Sequence, residues 1–327
     1  MASSGYVSRV VTKAVPAIET SEGVGARVRR SIGTPGLQNL SPFLMLDHFR
    51  IPPKAGFADH PHRGQVTVTL MLEGYVNHED FAGHAGTIGP GDLQWMTAGR
   101  GIVHAEMPKH YDEAGNRLPD PTGLQLWIDL PRDHKFDEPD YQELLGSSLP
   151  TVTPRESEPE ETEGQGWKIK VIAGESHGAV SPIRSPETGG CEYYDITLQP
   201  GGRVFQKLPK GWNAFIYSTA GSIKVGEKEK AKVFEKYHTL VLSNAGPDST
   251  EDGVWFEHAS SGAEATEEAR FFLVAGKPLD QPTVQYGPFV LCTKEDVMQT
   301  LQDYQLGQNG FERAPGWQSK IAANFGH

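Results

Sequence analysis

The sequence predicts an all-β protein: two antiparallel β-barrels of jelly-roll type in tandem, followed by a short C-terminal helix. Three observations predict it. The 327 residues include 37 Gly and 24 Pro, and turn formers at that density suit many short strands better than a helical bundle. Runs rich in β-branched and aromatic residues recur in two blocks, residues 6–135 and 167–290. The blocks also echo one another. Gly64 and Gly74 bracket QVTVTLMLE, and Gly211 and Gly221 bracket WNAFIYSTA at the same separation, as in a duplicated unit.

In the first block, TVTLML (67–72) reads as a strand ending at Glu73-Gly74, and GTIGPGDLQWM (86–96) carries a turn at Pro90-Gly91-Asp92. GRGIVHAEM (99–107) opens another strand, and GLQLWIDL (123–130) is one more. In the second block WKIKVIAG, CEYYDITL, NAFIYSTAG, SIKVG, HTLVLS and ARFFLVAG all read as strands. Short strands at this spacing fit a closed antiparallel architecture. Between the blocks, RESEPEETEGQG (155–166) is dense in Glu, Pro and Gly and reads as a solvated loop. Beyond the second block the period changes. Thr293 is placed to cap a helix, Val297, Leu301 and Tyr304 share one face of it, and Gly307 and Gly310 stop it. The expected organisation is a barrel over 1–138, a linker with the acidic loop over 139–166, a second barrel over 167–290, and a helix and tail over 291–327.

The formal charge is −12, from 42 acidic and 30 basic side chains. Such a surface repels phosphate backbones, so no direct binding of nucleic acid is expected. The locally basic segment ARVRR (26–30) reads as a solvated strand edge, or as a small patch for an anion or a protein partner. Two cysteines, Cys191 and Cys292, and an N-terminal stretch MASSGYVSRVVTKAVPAIE without an apolar run of signal length lead to the expectation of an intracellular, reduced chain that is not secreted. No window approaches the length of a membrane span, so no membrane association is expected.

The chemistry concentrates in HPHRG (60–64). Side chains at i and i+2 of a strand point to one face, so His60 and His62 share a face if the stretch is extended, with Pro61 turned away. Proline donates no ladder hydrogen bond, which puts the segment at a strand start or a sheet edge. The same i, i+2 pattern recurs at His104 and Glu106 in IVHAEM, and two strands of one closed barrel can bring the pairs together. Three imidazoles and one carboxylate suit a divalent iron, manganese, nickel, copper or zinc ion and leave a six-coordinate metal open to substrate or dioxygen. His78 and His84 in NHEDFAGH are the other local histidines, expected at the rim or behind the ligands. When Gly211 is laid on Gly64, His60 and His62 fall on Lys207 and Pro209, and the later Glu257 and His258 are adjacent rather than two apart. One metal per chain, in the first barrel, is therefore expected. Met96, Val103 and Leu126 are expected to line the pocket.

Taken together, EGVGARVRRSIG, DHPHRG, HEDFAGH, PGDLQWMTAGRGIVHAEMP, GLQLWIDL, PKGWNAFIY, GPFV and NGFERAPGWQSKI closely resemble the pirin family of the cupin superfamily. The resemblance runs over nearly the whole chain. It implies two cupin barrels, metal in the N-terminal one, and iron as Fe(II), with His60, His62, His104 and Glu106 as ligands. It also implies one of two activities: cleavage of a flavonol such as quercetin by dioxygen, or iron-dependent co-regulation of transcription in nucleus and cytoplasm through protein contacts. For the first, the expected mechanism has the flavonol hydroxyl bind the metal as an anion, with Glu106 taking its proton.

Overall fold

The structure is a computed structural model, which describes residues 6–154, 164–185, 190–227, 230–260 and 267–323. Of the acidic loop expected at 155–166, residues 155–163 lie outside this range. Two compact units emerge, one of residues 18–148 with 279–327 and one of residues 1–17 with 149–278.

The first barrel uses β1 (Ala26–Ile32), β2 (Phe43–Arg50), β3 (Phe57–His62), β4 (Gln65–Glu73), β5 (Tyr75–Asp80), β6 (Ala85–Ile88), β7 (Leu93–Thr97), β8 (Ile102–Lys109) and β9 (Thr122–Asp129). The second uses β10 (Trp167–Ala173), β11 (Cys191–Leu198), β12 (Arg203–Lys207), β13 (Asn213–Ala220), β14 (Ser222–Val225), β15 (Lys232–Glu235), β16 (His238–Leu242), β17 (Glu251–His258) and β18 (Ala269–Gly276). In the first barrel the larger sheet runs β7-β4-β9-β2-β1 and the smaller β3-β8-β5-β6. In the second the order is β16-β13-β18-β11-β10, with β12-β17-β14-β15 as the smaller sheet. Each strand of one barrel thus has a counterpart nine places on in the other. The glycine echo has a physical basis here: β4 and β13 are the echoed strands, and Gly64, Gly74, Gly211 and Gly221 all adopt left-handed φ, at 82°, 69°, 76° and 60°, which a side chain resists.

The sheet edges are completed by chain that is distant in sequence. Ile18–Glu22 pairs with β1, and Asp140–Leu144 pairs with β7, so part of the expected linker is a strand of the first barrel. Val11–Pro16 pairs with β16 of the second barrel, although the residues that follow it, from Ile18 on, belong to the first. Covering an exposed edge removes a row of unpaired N–H and C=O groups.

Among the described residues there is one α-helix, α1 (Lys294–Leu306). Oγ1 of Thr293 accepts from the N–H of Asp296 at 3.0 Å, and Gly307 ends the helix at φ 63°. Its apolar face, Val297, Leu301 and Tyr304, packs against Val103, Phe289 and Phe311 in the first unit. Both cysteines, Cys191 and Cys292, are free and buried.

Candidate metal centre

Strand β3 is antiparallel to β8, with His60 opposite His104, Ile102 opposite His62, and a register shift between His104 and Glu106. The two i, i+2 pairs therefore sit on neighbouring strands rather than on distant ones. One donor atom from each of His60, His62 and His104 lies within 4.8 Å of the others, and among the described residues no other grouping of three or more His, Cys, Asp or Glu side chains comes together in this way. Glu106 is close but not part of that trio: its Oε2 is 4.0 Å from Nε2 of His104. His62, His104 and Glu106 are 3%, 1% and 5% exposed.

The ring nitrogens suit a cation. Nδ1 of His60 is 2.8 Å from the carbonyl oxygen of Ala58 and can only donate to it, which leaves Nε2 with its lone pair. That Nε2 faces Nε2 of His104 at 2.9 Å, while buried Nδ1 of His104 has no hydrogen-bond partner. The amide of Gln65 lies 3.0 Å from Nδ1 of His62 and holds that ring's orientation, and Trp127 closes on it edge-on at 5.2 Å between centroids. Burial pushes His62 and His104 well below the ordinary imidazole value, with the neighbouring imidazoles adding to the effect. Burial also lowers His60, against the pull of the Ala58 carbonyl. Three neutral imidazoles are then aimed at one point, and that donor set fits a divalent first-row metal.

Burial pushes the carboxyl of Glu106 up to about 7, opposed by hydrogen bonds from Thr69 and Gln125. The Thr69 hydroxyl stands 3.2 Å from Oε1 of Glu106 and 3.3 Å from Oε1 of Gln125, so its single proton serves one or the other. Both residues lie at inward positions of apolar strands, β4 and β9. A polar residue on the buried phase of such a strand is the signal that could have singled them out.

These groups border a cavity of about 560 Å³ whose walls include Val28, Met45, Phe49, Phe57 and Trp127. The residues expected to line it do not. Leu126 falls on the opposite phase of β9 from Gln125 and Trp127, Met96 packs with Ala98 and Ile102, and Val103 packs against α1. His78 and His84 do not join the trio. His78 is paired with Glu143 at 2.6 Å and His84 with Asp80 at 2.7 Å.

The rest of HPHRG anchors the strand. Arg63 is fully buried and donates to Thr300 and Asp303 of α1, at 3.0 and 2.8 Å, and to the carbonyl oxygens of Arg100 and Asn309. Its guanidinium also lies 4.6 Å over the ring of Phe311. A Cβ on Gly64 would stand 2.0 Å from the carbonyl oxygen of Val290. The residues that follow His62 thus fix its strand against the C-terminal segment of the same unit.

The arginines of ARVRR are paired with carboxylates. Arg27 and Arg29 pair with Glu19 at 2.6 and 3.1 Å, and Arg30 turns inward onto Asp47 at 2.6 Å and Glu22 at 2.7 Å. The edge strand Ile18–Glu22 supplies both glutamates, which sequence adjacency alone did not reveal.

Comparison with known proteins agrees with this architecture. A family model described as Pirin matches residues 25–128, and one described as Pirin C-terminal cupin domain matches residues 193–310. A pirin-like protein of Solanum lycopersicum is 48% identical over 95% of this chain and 97% of its own length. Pirin of Homo sapiens is 44% identical over 96% of this chain and 98% of its own length. A crystal structure of quercetin 2,3-dioxygenase from Acinetobacter baumannii aligns with a TM-score of 0.75 and 27% identity, covering 92% of this chain and 98% of that one. With two cupin barrels, a three-histidine cluster in the first, and identity to pirins over nearly its full length, the chain belongs to the pirin family.

Proposed function

We propose that the chain is a metal-dependent dioxygenase that cleaves a flavonol such as quercetin, with Fe(II) held by His60, His62, His104 and Glu106. The observation that carries this reading is the site's composition: three imidazoles and one carboxyl group beside a largely apolar cavity of about 560 Å³. That volume is within the range that takes a small organic ligand. The likeness to a quercetin 2,3-dioxygenase supports the substrate class. Iron held there would supply Lewis acidity and one-electron chemistry toward dioxygen.

The chain's own residues do the rest. The apolar walls receive a flat aromatic substrate and exclude water. Glu106 takes a proton from the substrate hydroxyl at a carboxylate oxygen left free of the metal. Thr69 and Gln125 hold that carboxylate in place through their hydrogen bonds. Gln65 and the Ala58 carbonyl fix the imidazole orientations. The rival reading, a non-enzymatic iron-dependent nuclear regulator, rests on the acidic charge of −12 and on the Arg27, Arg29 and Arg30 patch, and those arginines are paired with Glu19, Glu22 and Asp47.

Oxygen uptake by iron-loaded protein with quercetin tests the proposal. Consumption of oxygen that disappears in Glu106→Gln is the expected result. No consumption with the site demonstrably filled would overturn it.

A further inference from the structure

One feature of the cavity has no part in the chemistry just described: a charged cluster on its wall. Side chains on β1 and β2 alternate, and the inward set that lines the cavity includes Val28 and Phe49 together with Arg30 and Asp47. Asp47 is 2% exposed. Its two oxygens take Nε and Nη2 of Arg30 at 2.8 and 2.6 Å, and Nη2 also reaches Oε2 of Glu22 at 2.7 Å. Packed apolar residues of similar volume often stabilise a buried position as well as an ion pair does. The pair stands where a ligand would meet it.

The atoms left over define what that ligand must offer. Nη1 of Arg30 donates to nothing among the described residues, and Oε1 of Glu22 accepts from nothing among them. Arg30 side chain exposure is 22% and that of Glu22 is 41%, against 3% for His62 and 1% for His104. One arginine and two carboxylates sum to −1, which disfavours an anionic ligand. A donor from Nη1 next to an acceptor on Glu22 matches two adjacent hydroxyl groups, one accepting and the other donating.

We propose that Glu22, Arg30 and Asp47 form a subsite for a pair of adjacent hydroxyls on an uncharged aromatic ring, and so select polyphenols of the catechol type. Asp47 acts by positioning Arg30; Glu22 and Arg30 touch the ligand. The inference rests on the flavonol reading and names which flavonols the site takes.

Two flavonols separate the outcomes. Quercetin carries adjacent hydroxyls on its pendant ring and galangin carries none there. Their dissociation constants are measured on the metal-loaded protein without oxygen, by quenching of tryptophan fluorescence, for wild type, Glu22→Gln and Arg30→Lys. One charge-assisted hydrogen bond corresponds to roughly tenfold in affinity. Quercetin is expected to bind about tenfold or more tighter than galangin to wild type, and each variant to bring the ratio close to unity mainly by weakening quercetin. Arg30→Lys keeps a cation beside Asp47 but removes the Nη1 donors, and melting temperatures near wild type separate loss of the subsite from loss of the fold. Equal binding of the two flavonols by wild type, or a preference that both variants retain, would overturn the subsite and leave the flavonol reading standing. No binding of either flavonol to the loaded wild type would overturn both.

Discussion

Replacing Glu106 by Gln should stabilise the metal-free protein at alkaline pH and much less at acidic pH. The side chain is 5% exposed, and burial moves its carboxyl from 4.5 up to about 7, against the hydrogen bonds from Thr69 and Gln125. A folded-state value above the unfolded one means that the folded protein holds the proton more tightly. The cost of burying the carboxylate is therefore absent below 4.5, grows as pH rises, and is complete above about 7. From 4.5 to about 7, at about 1.4 kcal/mol per pH unit, the full cost is about 3 kcal/mol. Glutamine is neutral at every pH, has nearly the same shape, and keeps an oxygen for the Thr69 hydroxyl. In a unit of this size about 3 kcal/mol corresponds to a change in Tm on the order of 10 °C. Scanning calorimetry of metal-free protein at about pH 8.5 and about pH 5 reads the difference directly. The variant should melt on the order of 10 °C above wild type at the higher pH and within a few degrees of it at the lower. An equal advantage at both pH values would refute the reasoning, because it would trace to packing and not to a buried carboxylate.

Further outcomes follow from the same geometry. Iron affinity of wild type should fall as pH drops below about 7, up to about tenfold per pH unit, since metal must displace the proton on Glu106; Glu106→Gln, titrated with iron over the same range, should flatten that slope. Arg63→Ala leaves Asp303 buried without its cation, and a loss of about 3–5 kcal/mol in denaturant unfolding is expected. Gly64→Ala and Gly211→Ala both force a side chain into left-handed φ, at a cost of about 1–2 kcal/mol. Only the Gly64 change also drives a Cβ to 2.0 Å from the Val290 carbonyl oxygen, while Gly211 has nothing within 4 Å, so the Gly64 variant should melt well below its counterpart.

Periodicity and turn chemistry made many of the strands of both barrels, the duplicated glycine frame and the C-terminal helix legible, because each is set by local sequence. The i, i+2 rule was enough to pair His60 with His62 and His104 with Glu106 by face. It did not reveal that β3 and β8 are direct neighbours, or that the register shifts between His104 and Glu106, since strand order is settled by long-range pairing. The same limit hid the edge strands. Nothing near Asp140–Leu144 or Val11–Pro16 in the sequence announces which sheet each one completes. Arg30 shows how an exposed reading fails: in ARVRR it alternates with Arg29, and the inward phase of β1 together with Asp47 on β2 decides where its guanidinium goes. Arg63 likewise reads as one more arginine until Asp303 and Thr300, far along the chain, meet it.

If His60, His62 and His104 hold one metal ion in the first barrel, removing one of the imidazoles should empty the site. Native mass spectrometry of protein loaded anaerobically with Fe(II), for wild type, His62→Ala and His104→Ala, measures this. One iron per chain is expected in wild type and little or none in either variant, with each variant still folded by circular dichroism. Full iron retention by both variants, or a folded wild type that takes up none, would contradict it.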